Sequence, residues 1–342
     1  MKAIQLIEAG KPLLDVDLPT PQPQPGEVLV KVHAAGICHS DVHYRNGRSP
    51  AGPLPLIPGH EVAGVIEASE TPGWEVGDRV CLHYLTFCGS CSACMSGHEQ
   101  FCPESEMIGK SRNGGFAEYI AHPTKSIYTI PADVGFAEAA IMMCSTATSY
   151  HALNKARLQP GETVAIFGCG GLGFSALQLA KVMGASRVFA VDIDEHKLKQ
   201  AERLGAEIIH AGECDPVAHI LSLTNGAGVD VAIELIGLPQ TMAQCVHVLG
   251  NRGRAALAGI TDQVIDVDTY RDLIGREGEM IGVSDHLGSE IEQLLAWRSD
   301  GKIKPGQAVT RKVPLEAGAV NEVLDRLEAF GSDTRTVIDM SG

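Results

Sequence analysis

Residues 163–173 read TVAIFGCGGLG. The apolar and β-branched run Thr163–Phe167 predicts a buried strand, and the glycines that follow predict a tight turn that opens a helix. The uncharged apolar stretch extends to Ala180, which is long enough to suggest a membrane span. Because glycines interrupt it, we interpret it as a strand, a turn and a helix rather than as a membrane span.

The sequence around this turn alternates between short apolar runs and amphipathic segments. Such alternation predicts βαβ units and a parallel sheet with right-handed crossovers. We predict strands at Arg187–Asp192, Val229–Glu234 and Arg254–Leu257, and helices at Leu172–Met183, Glu195–Leu204 and Gln240–Val248.

The first 130 or so residues show a different pattern, in which turn signals such as Pro25-Gly26 separate short β-like runs. They predict a mostly β domain with strands at Glu27–His33, Glu61–Ala68, Arg79–Leu82 and Phe116–Ala121. A helix is predicted near Gly288–Arg298, in a tail that returns to the first domain. We therefore expect a catalytic domain at 1–146, a nucleotide-binding domain at 147–283 and a C-terminal return at 284–342.

The glycine turn has the spacing G-x-G-x-x-G in the context that dinucleotide binding requires. Gly168 would form the turn, Gly170 would let the backbone approach a pyrophosphate, and Gly173 would let helix pack on strand. The phosphates would lie at the helix N-terminus, near Gly171 and Leu172. Asp192 ends the next predicted strand, where a carboxylate binds the ribose diol and repels a 2′-phosphate, so we predict NAD rather than NADP. A parallel domain without a dinucleotide is the alternative.

Composition limits the possible partners. The chain has 342 residues, 27 basic and 42 acidic side chains, and a formal net charge of −15. This balance argues against a nucleic-acid or anionic-membrane surface, since both need basic patches. The charged N-terminus does not read as an export signal, so we expect a cytoplasmic protein whose ten cysteines are free or metal-bound.

Four cysteines follow one another closely, at positions 88, 91, 94 and 102. Four thiolates on one loop can close a tetrahedral zinc site of the structural type. An iron–sulfur site also uses C-x-x-C-x-x-C, and Cys102-Pro103 keeps that alternative open. A nucleic-acid zinc ribbon would need surrounding Lys and Arg, but this loop carries Glu99 and Glu104. We predict a structural zinc bound by Cys88, Cys91, Cys94 and Cys102.

A second set of potential ligands is scattered over the sequence, in Cys38-His39-Ser40-Asp41-Val42-His43 and Gly59-His60-Glu61. Together with the four-cysteine loop, the segment Asn113–Tyr119 and the glycine turn, these motifs make the chain resemble the zinc-dependent alcohol dehydrogenases of the medium-chain dehydrogenase/reductase family. The resemblance extends nearly from end to end. It implies an α/β protein with a GroES-like, mostly β catalytic domain and a doubly wound Rossmann domain.

The resemblance also implies a catalytic zinc, so that each subunit would hold two zinc ions. Cys38, His60 and Cys144 would be its ligands, and Glu61 would lie beside the metal or replace a ligand. Asp41 would accept the second N–H of His60 and so fix its tautomer. For Cys144, a buried small side chain without a ligand role is the alternative.

In the mechanism that the resemblance implies, the alcohol proton leaves through Ser40, and the ribose hydroxyls of the cofactor pass it to His43 and solvent. Hydride moves to the nicotinamide. The substrate pocket would include Tyr84, for which an ordinary half-buried ring is the alternative, and Ser49. The remaining cofactor contacts would be His39 and Arg335 on the pyrophosphate, and Gly259, Ile260, Val283 and Ser284 around the nicotinamide.

The resemblance and the glycine turn together predict an NAD-dependent oxidoreductase that acts on primary or secondary alcohols and the matching aldehydes or ketones. A polyol or threonine-type dehydrogenase of the same family is the alternative, which Cys144 disfavours because polyol-type relatives lack this cysteine. A non-enzymatic NAD-sensing zinc protein is an alternative of another class. By the same resemblance, we expect a homodimer or homotetramer.

Overall fold

The computed structural model describes residues 1–329, 331 and 333–340. The chain forms two compact units: Met1–Ala147 together with His286–Gly342 form the first unit, and Thr148–Asp285 form the second unit. Within the described residues, no helix combines the length and the apolar character needed to cross a membrane.

The secondary structure of both units follows in chain order. The strands are β1 (Lys2–Gln5), β2 (Leu14–Asp17), β3 (Glu27–Ile37), β4 (Glu61–Ser69), β5 (Arg79–Leu82), β6 (Tyr119–Pro123), β7 (Ile127–Thr129), β8 (Thr163–Phe167), β9 (Arg187–Asp192), β10 (Glu207–His210), β11 (Val229–Glu234), β12 (Leu249–Leu257), β13 (Glu279–Gly282), β14 (Val309–Val313) and β15 (Arg335–Asp339). The helices are α1 (His39–Arg45), α2 (Ser92–Met95), α3 (Phe136–Ile141), α4 (Ala147–Lys155), α5 (Gly171–Val182), α6 (Glu195–Arg203), α7 (Pro216–Leu223), α8 (Pro239–His247), α9 (Gly288–Ser299) and α10 (Ala317–Glu328).

A six-stranded parallel sheet forms the second unit, in the order β10-β9-β8-β11-β12-β13. Strands β8 and β11 lie at its centre and are almost wholly buried, which explains the apolar run of β8 and the apolar residues 231–233 of β11. The strand order reverses between them, so their carboxyl ends flank the crevice in which such sheets bind ligands. The doubly wound parallel sheet predicted from the sequence is confirmed.

Of the strands and α-helices of the second unit, four were not predicted: α4 at the start of the unit, β10, β13 and α7. Strands β10 and β13 lie at the two edges of the sheet and have four residues each, too few to show a period. Helix α7 was also missed, although Asp215 caps it and Pro216 occupies its first turn, where no N–H is needed. The predicted strand Arg254–Leu257 is the second half of the longer β12.

The first unit is built on a mixed, seven-stranded sheet in which the eleven-residue β3 pairs with β4, β6 and β15. Because β15 pairs antiparallel with the end of β3, the C-terminal tail completes this sheet. The predicted strand Phe116–Ala121 is wrong at its start. Residues 114–116 instead donate backbone hydrogen bonds to residues 57–59, including Phe116 N to Pro58 O at 3.0 Å.

Candidate active site and metal centres

One carboxylate positions the two segments that carry the first ligands. Strand β3 ends at Ile37, and Cys38 follows in an extended conformation before α1. The buried Asp41 accepts the backbone N–H of Cys38 at 2.9 Å and that of Gly59 at 3.3 Å, so it joins α1 to the segment that leads into His60. Its Oδ1 lies 3.8 Å from His60 Nδ1, too far for a hydrogen bond, so Asp41 acts on this imidazole mainly through its charge.

The side chains of Cys38, His60, Glu61 and Cys144 converge in the first unit. Their ligand atoms all lie within 4.8 Å of one another, and all four residues are buried. The Sγ atoms of Cys38 and Cys144 are 3.9 Å apart, and His60 Nε2 is 3.4 Å from Cys144 Sγ. Two thiolates on a tetrahedral zinc ion lie about 3.8 Å apart, so the spacing and the donor types fit zinc. Cys144 reaches this cluster from the π-helical turn Met142–Thr146.

The cluster is electrostatically polarised. The hydrogen bond between the two cysteines lowers the pKa of Cys38 well below its ordinary value and raises the pKa of Cys144. Burial lowers the pKa of His60, but Asp41 and Cys38 outweigh burial, so the net pKa is well above the ordinary value. The site therefore stabilises a thiolate at Cys38, the form that binds metal.

Glu61 forms a buried ion pair with Arg335, the first residue of β15. Burial raises the pKa of Glu61 to about 7, and the Arg335 guanidinium opposes that rise. A Cβ at Gly36 would lie 1.9 Å from the Glu61 carboxylate, so only glycine admits this side chain beside β3. Within the described residues, Arg335 Nε has no hydrogen-bond partner. The guanidinium thus retains a donor, as the predicted contact with a phosphate requires.

Helix α1 presents Ser40 beside the cluster, with its Oγ 3.7 Å from Cys38 Sγ. The rings of His39 and His43 lie 5.0 Å apart between centroids, and both are partly buried. Burial lowers the pKa of each, so both imidazoles are mainly neutral at pH 7. Ser49 follows the helix and donates its backbone N–H to His43 O at 3.2 Å.

The rings nearest the cluster contact one another in edge-on and tilted arrangements. Tyr84 is buried and contacts His60 edge-on, with 5.5 Å between ring centroids. His286 contacts the same tyrosine at 4.7 Å and the ring of His83 at 4.6 Å. Both histidines are fully buried, so Tyr84 is held in place from two sides.

The second cluster, Cys88, Cys91, Cys94 and Cys102, lies on a single loop around α2. The Sγ atoms of Cys88 and Cys94 are 3.9 Å apart, and those of Cys91 and Cys94 are 3.5 Å apart. Hydrogen bonds from the Ser90 and Cys91 backbone lower the pKa of Cys88 to about 6, which favours a thiolate. Four thiol ligands leave no position for substrate, as in structural zinc sites.

The glycine turn of the second unit has the geometry needed to approach a dinucleotide. Gly168 has φ +95°, and a Cβ at Gly173 would lie 1.8 Å from Gly168 O. A Cβ at Gly170 would meet no atom within 4 Å, so the backbone there faces open space. No described side chain caps the N-terminus of α5, which leaves its first amides available for an anion.

Asp192 lies at the carboxyl end of β9, beside this turn. One of its oxygens accepts the Cys169 backbone N–H at 2.7 Å, and the other accepts the N–H groups of Ile193 and Asp194. Three amide donors hold the carboxylate in place, and carboxylate oxygens have further lone pairs for ribose hydroxyls. The turn and the acid thus fit the adenosine half of a dinucleotide.

Comparison with known proteins gives a consistent result. Residues 24–132 match the model of the alcohol dehydrogenase GroES-like domain, and residues 171–299 match that of the zinc-binding dehydrogenases. The NAD-dependent alcohol dehydrogenase of Sulfurisphaera tokodaii is 36% identical, with 99% of each chain covered. The chain belongs to the zinc-binding alcohol dehydrogenase family.

Two further relatives show the range of this alcohol dehydrogenase family. The crystal structure of the Aeropyrum pernix alcohol dehydrogenase has a TM-score of 0.90 and 36% identity, covering 99% of this chain and all of the other. The L-threonine 3-dehydrogenase of Bacillus velezensis is 31% identical to this chain, and the alignment covers 92% of this chain and 93% of the relative.

The predicted site residues of this alcohol dehydrogenase fall into groups. The structure brings together both sets of metal-binding side chains, and it places Ser40, Asp41 and Tyr84 beside the buried set. The predicted cofactor contacts are divided, with His39 and Arg335 in the first unit. Those in the second unit are Gly168, Gly170, Gly171, Leu172, Gly173, Asp192, Gly259, Ile260, Val283 and Ser284.

Sequence reasoning did not select two buried side chains near these groups. His286 stands in a segment without periodicity, and only the folded structure shows its contact with Tyr84. Glu234 ends strand β11 and is fully buried. An acid at the carboxyl end of a central parallel strand is a signal that could have found it.

Proposed function

We propose that the protein is a zinc- and NAD-dependent alcohol dehydrogenase that oxidises a primary or secondary alcohol to the aldehyde or ketone. The observation that carries this proposal is the buried convergence of Cys38, His60 and Cys144, next to a hydroxyl and a neutral imidazole on α1. Three nitrogen and sulfur ligands on zinc leave one position for substrate, which is typical of catalytic sites.

The two cofactors and the chain would divide the chemistry between them. When bound, zinc acts as a Lewis acid on the alcohol oxygen, and the nicotinamide accepts the hydride from the carbinol carbon. The chain removes the proton: Ser40 takes it from the substrate hydroxyl, and His43, three residues further on the same helix face, passes it to solvent. His43 is half-buried and mainly neutral at pH 7, so it is able to accept that proton.

Glu61 and Arg335 would support this site as a buried ion pair. Glu61 reaches the metal cluster while paired with Arg335, so it would lie beside the zinc or replace one of its ligands. Arg335 would direct its remaining N–H donor to the pyrophosphate. His39 would contribute a second phosphate contact.

Asp192 supports NAD as the preferred dinucleotide. Its carboxylate is fixed by three backbone amides next to the glycine turn, where it would bind the ribose diol and repel a 2′-phosphate. The next residue, Ile193, is 68% exposed and offers no cation to such a phosphate.

A polyol or threonine-type dehydrogenase remains the second candidate, because an L-threonine 3-dehydrogenase is among the full-length relatives. The contact of Cys144 with both His60 and Cys38 favours the first candidate, since it supplies a third zinc ligand. Tyr84 and Ser49 would then line the pocket for a simple alcohol.

Zinc analysis combined with a substrate panel tests the proposal. The wild type should hold about two zinc ions per chain, whereas Cys144→Ser should hold about one and lose turnover. The matched control Cys245→Ser changes a buried cysteine of the second unit and should keep both ions. Primary alcohols, secondary alcohols, diols and threonine are assayed with NAD and NADP. Turnover of only diols or threonine would favour the second candidate, and no turnover by fully zinc-loaded protein would contradict both.

We also propose that the protein is a cytoplasmic homodimer or homotetramer. All ten cysteines are free thiols in the structure, as expected in a reducing compartment. The outermost strand β13 has an open edge among the described residues, and apolar side chains near it are exposed, including Ile274 at 69% and Met280 at 45%. Light scattering of the purified protein should therefore give a multiple of the monomer mass of 36.2 kDa.

A further inference from the structure

Glu234 stands out among the buried charged residues of the second unit. It is the last residue of β11, beside the glycine turn at the sheet's switch point, and its side chain is fully buried. Burying a carboxylate is costly unless donors compensate it. The hydrogen bonds that Glu234 makes therefore indicate what it is there to hold.

One oxygen of Glu234 gathers three donors from the following loop. Oε1 accepts the N–H of Ile236 at 3.0 Å, the N–H of Gly237 at 2.9 Å and the hydroxyl of Thr241 at 2.7 Å. Oε2 has no hydrogen-bond partner within the part of the chain that the structure describes. This second oxygen is directed at Gly259, where a Cβ would lie 2.4 Å from it.

The loop that Glu234 holds lies between two segments with predicted cofactor roles. On one side, a Cβ at Gly168 of the glycine turn would lie 2.6 Å from the Ile236 side chain. On the other side, Gly237 has φ +88°, and a Cβ there would lie 2.5 Å from Ile260 O. The Glu234 backbone carbonyl also accepts the N–H of Gly259 at 3.2 Å. Both the side chain and the backbone of Glu234 thus fix the Gly259–Ile260 segment.

We propose that Glu234 is a positioning residue for the dinucleotide. Glu234 fixes the Gly259–Ile260 backbone at the distance from the glycine turn that the nicotinamide end requires. This role rests on the proposed function, because the proposed function places the nicotinamide contact at Gly259 and Ile260. Glu234 itself touches no reacting atom. It acts through the loop 235–237 and through its close approach to Gly259.

The substitution Glu234→Gln tests this role with almost no change in volume. If the amide oxygen takes the place of Oε1, the NH2 group points at Gly259, where its hydrogens find no acceptor and push the segment outward. If the amide turns over, its hydrogens face three donors instead. Thr241→Val is the matched second variant, because it removes one of the three donors and leaves Oε2 unchanged.

Binding of NADH and of ADP-ribose is measured by fluorescence titration and by competition. ADP-ribose lacks the nicotinamide, so it reports on the adenosine and pyrophosphate contacts without those of the nicotinamide end. We expect Glu234→Gln to raise the NADH Kd about tenfold, and Thr241→Val about threefold, while the Kd of ADP-ribose changes less than about twofold. This selective loss distinguishes positioning from a general structural role.

Three results would overturn the proposal. Equal weakening of NADH and ADP-ribose would show that Glu234 supports the second unit as a whole. Unchanged NADH binding by both variants would show that it positions nothing. If Glu234→Gln fails to fold, Thr241→Val decides instead, and an NADH Kd that does not rise relative to the ADP-ribose Kd would overturn the proposal. A wild type that binds no NADH would overturn the proposed function as well, so the two failures are distinguishable.

Discussion

The two metal-binding clusters of the first unit are assembled in different ways. The cysteine loop draws its four thiols from one short segment, with only 14 positions between Cys88 and Cys102. The buried cluster draws Cys38 and Cys144 from segments 106 positions apart, together with His60 and Glu61. Three of the loop cysteines are partly exposed, whereas every member of the buried cluster is buried.

Because of this difference, the two metal ions would have different structural roles. The loop thiols are oriented by neighbouring backbone amides, such as the N–H of Ser90 and Cys91 on Cys88 Sγ. A metal bound there cross-links the loop to itself. The buried cluster is oriented by the ends of β3 and β4 and by Asp41, so the folded sheet creates the site before any metal enters. We therefore expect loss of activity when the buried cluster is changed and loss of stability when the loop is changed.

Cys38→Ser should give the largest effect. Serine is a poor ligand for zinc, and the site stabilises a thiolate at this position. We expect kcat/KM for the preferred alcohol to fall about 10⁴-fold, which corresponds to about 5.5 kcal/mol of transition-state stabilisation. Zinc content should fall by one ion while the unfolding temperature changes little.

Cys81→Ser is the control for Cys38→Ser, since Cys81 is also buried in the first unit but belongs to neither cluster. It should keep both zinc ions and its activity. If Cys38→Ser unfolded the chain instead, the sheet would not create the site independently of metal, and the contrast between the clusters would fail.

The second prediction concerns Arg335→Ala, which removes one partner of the buried pair with Glu61. Removing one partner of a buried ion pair typically costs about 3–5 kcal/mol of folding free energy, because Glu61 must then stay buried as an unpaired charge or take up a proton. Chemical denaturation at neutral pH should show this loss. The double variant Glu61→Gln/Arg335→Ala should recover part of it, because no unpaired charge remains. Absence of that recovery would contradict the pairing as the source of stability.

The same contrast explains how far the sequence predicts the molecule. The cysteine loop and the glycine turn are local, so spacing alone predicts their chemistry, and the parallel sheet follows from the alternation of strands and helices. Cys38, His60 and Cys144 carry no local signal, and only a resemblance to a family could group them. The Glu61–Arg335 pair, the contact of His286 with Tyr84 and the role of Glu234 depend on tertiary packing between distant segments, which residue spacing does not encode.

The third prediction concerns the cysteine loop. In Cys91→Ser, the zinc cross-link of a loop of about fifteen residues is lost, which by analogy with a disulfide of that length costs about 3 kcal/mol. The unfolding transition should shift accordingly, and zinc content should fall by one ion. At low temperature the folded fraction should retain most of its activity. A loss of activity as large as that of Cys38→Ser would show that the two clusters are not separable.

The smallest expected effect concerns His83, which connects the two regions. It precedes Tyr84, whose ring contacts His60, and it lies five positions before Cys88 on the same segment. Burial lowers the pKa of His83 and of His122 to about 3. Neither nitrogen of the His83 ring has a hydrogen-bond partner among the described residues, so the folded protein gains nothing by protonating it.

The sign of the pH dependence follows from these values. An unfolded histidine has a pKa of about 6.5, so between about pH 6.5 and pH 3 the unfolded chain binds protons that the folded chain does not. Stability is therefore full above about pH 6.5 and falls as the pH decreases, by about 1.4 kcal/mol per pH unit for each buried histidine. In His83→Gln, denaturation measured from about pH 6.5 down to pH 5 should show a slope smaller by that amount. The control His196→Gln changes an exposed histidine and should keep the wild-type slope. An unchanged slope in His83→Gln would mean that the wild-type imidazole gains a proton in the folded state. The segment between the two clusters would then open in acid before the sheet unfolds.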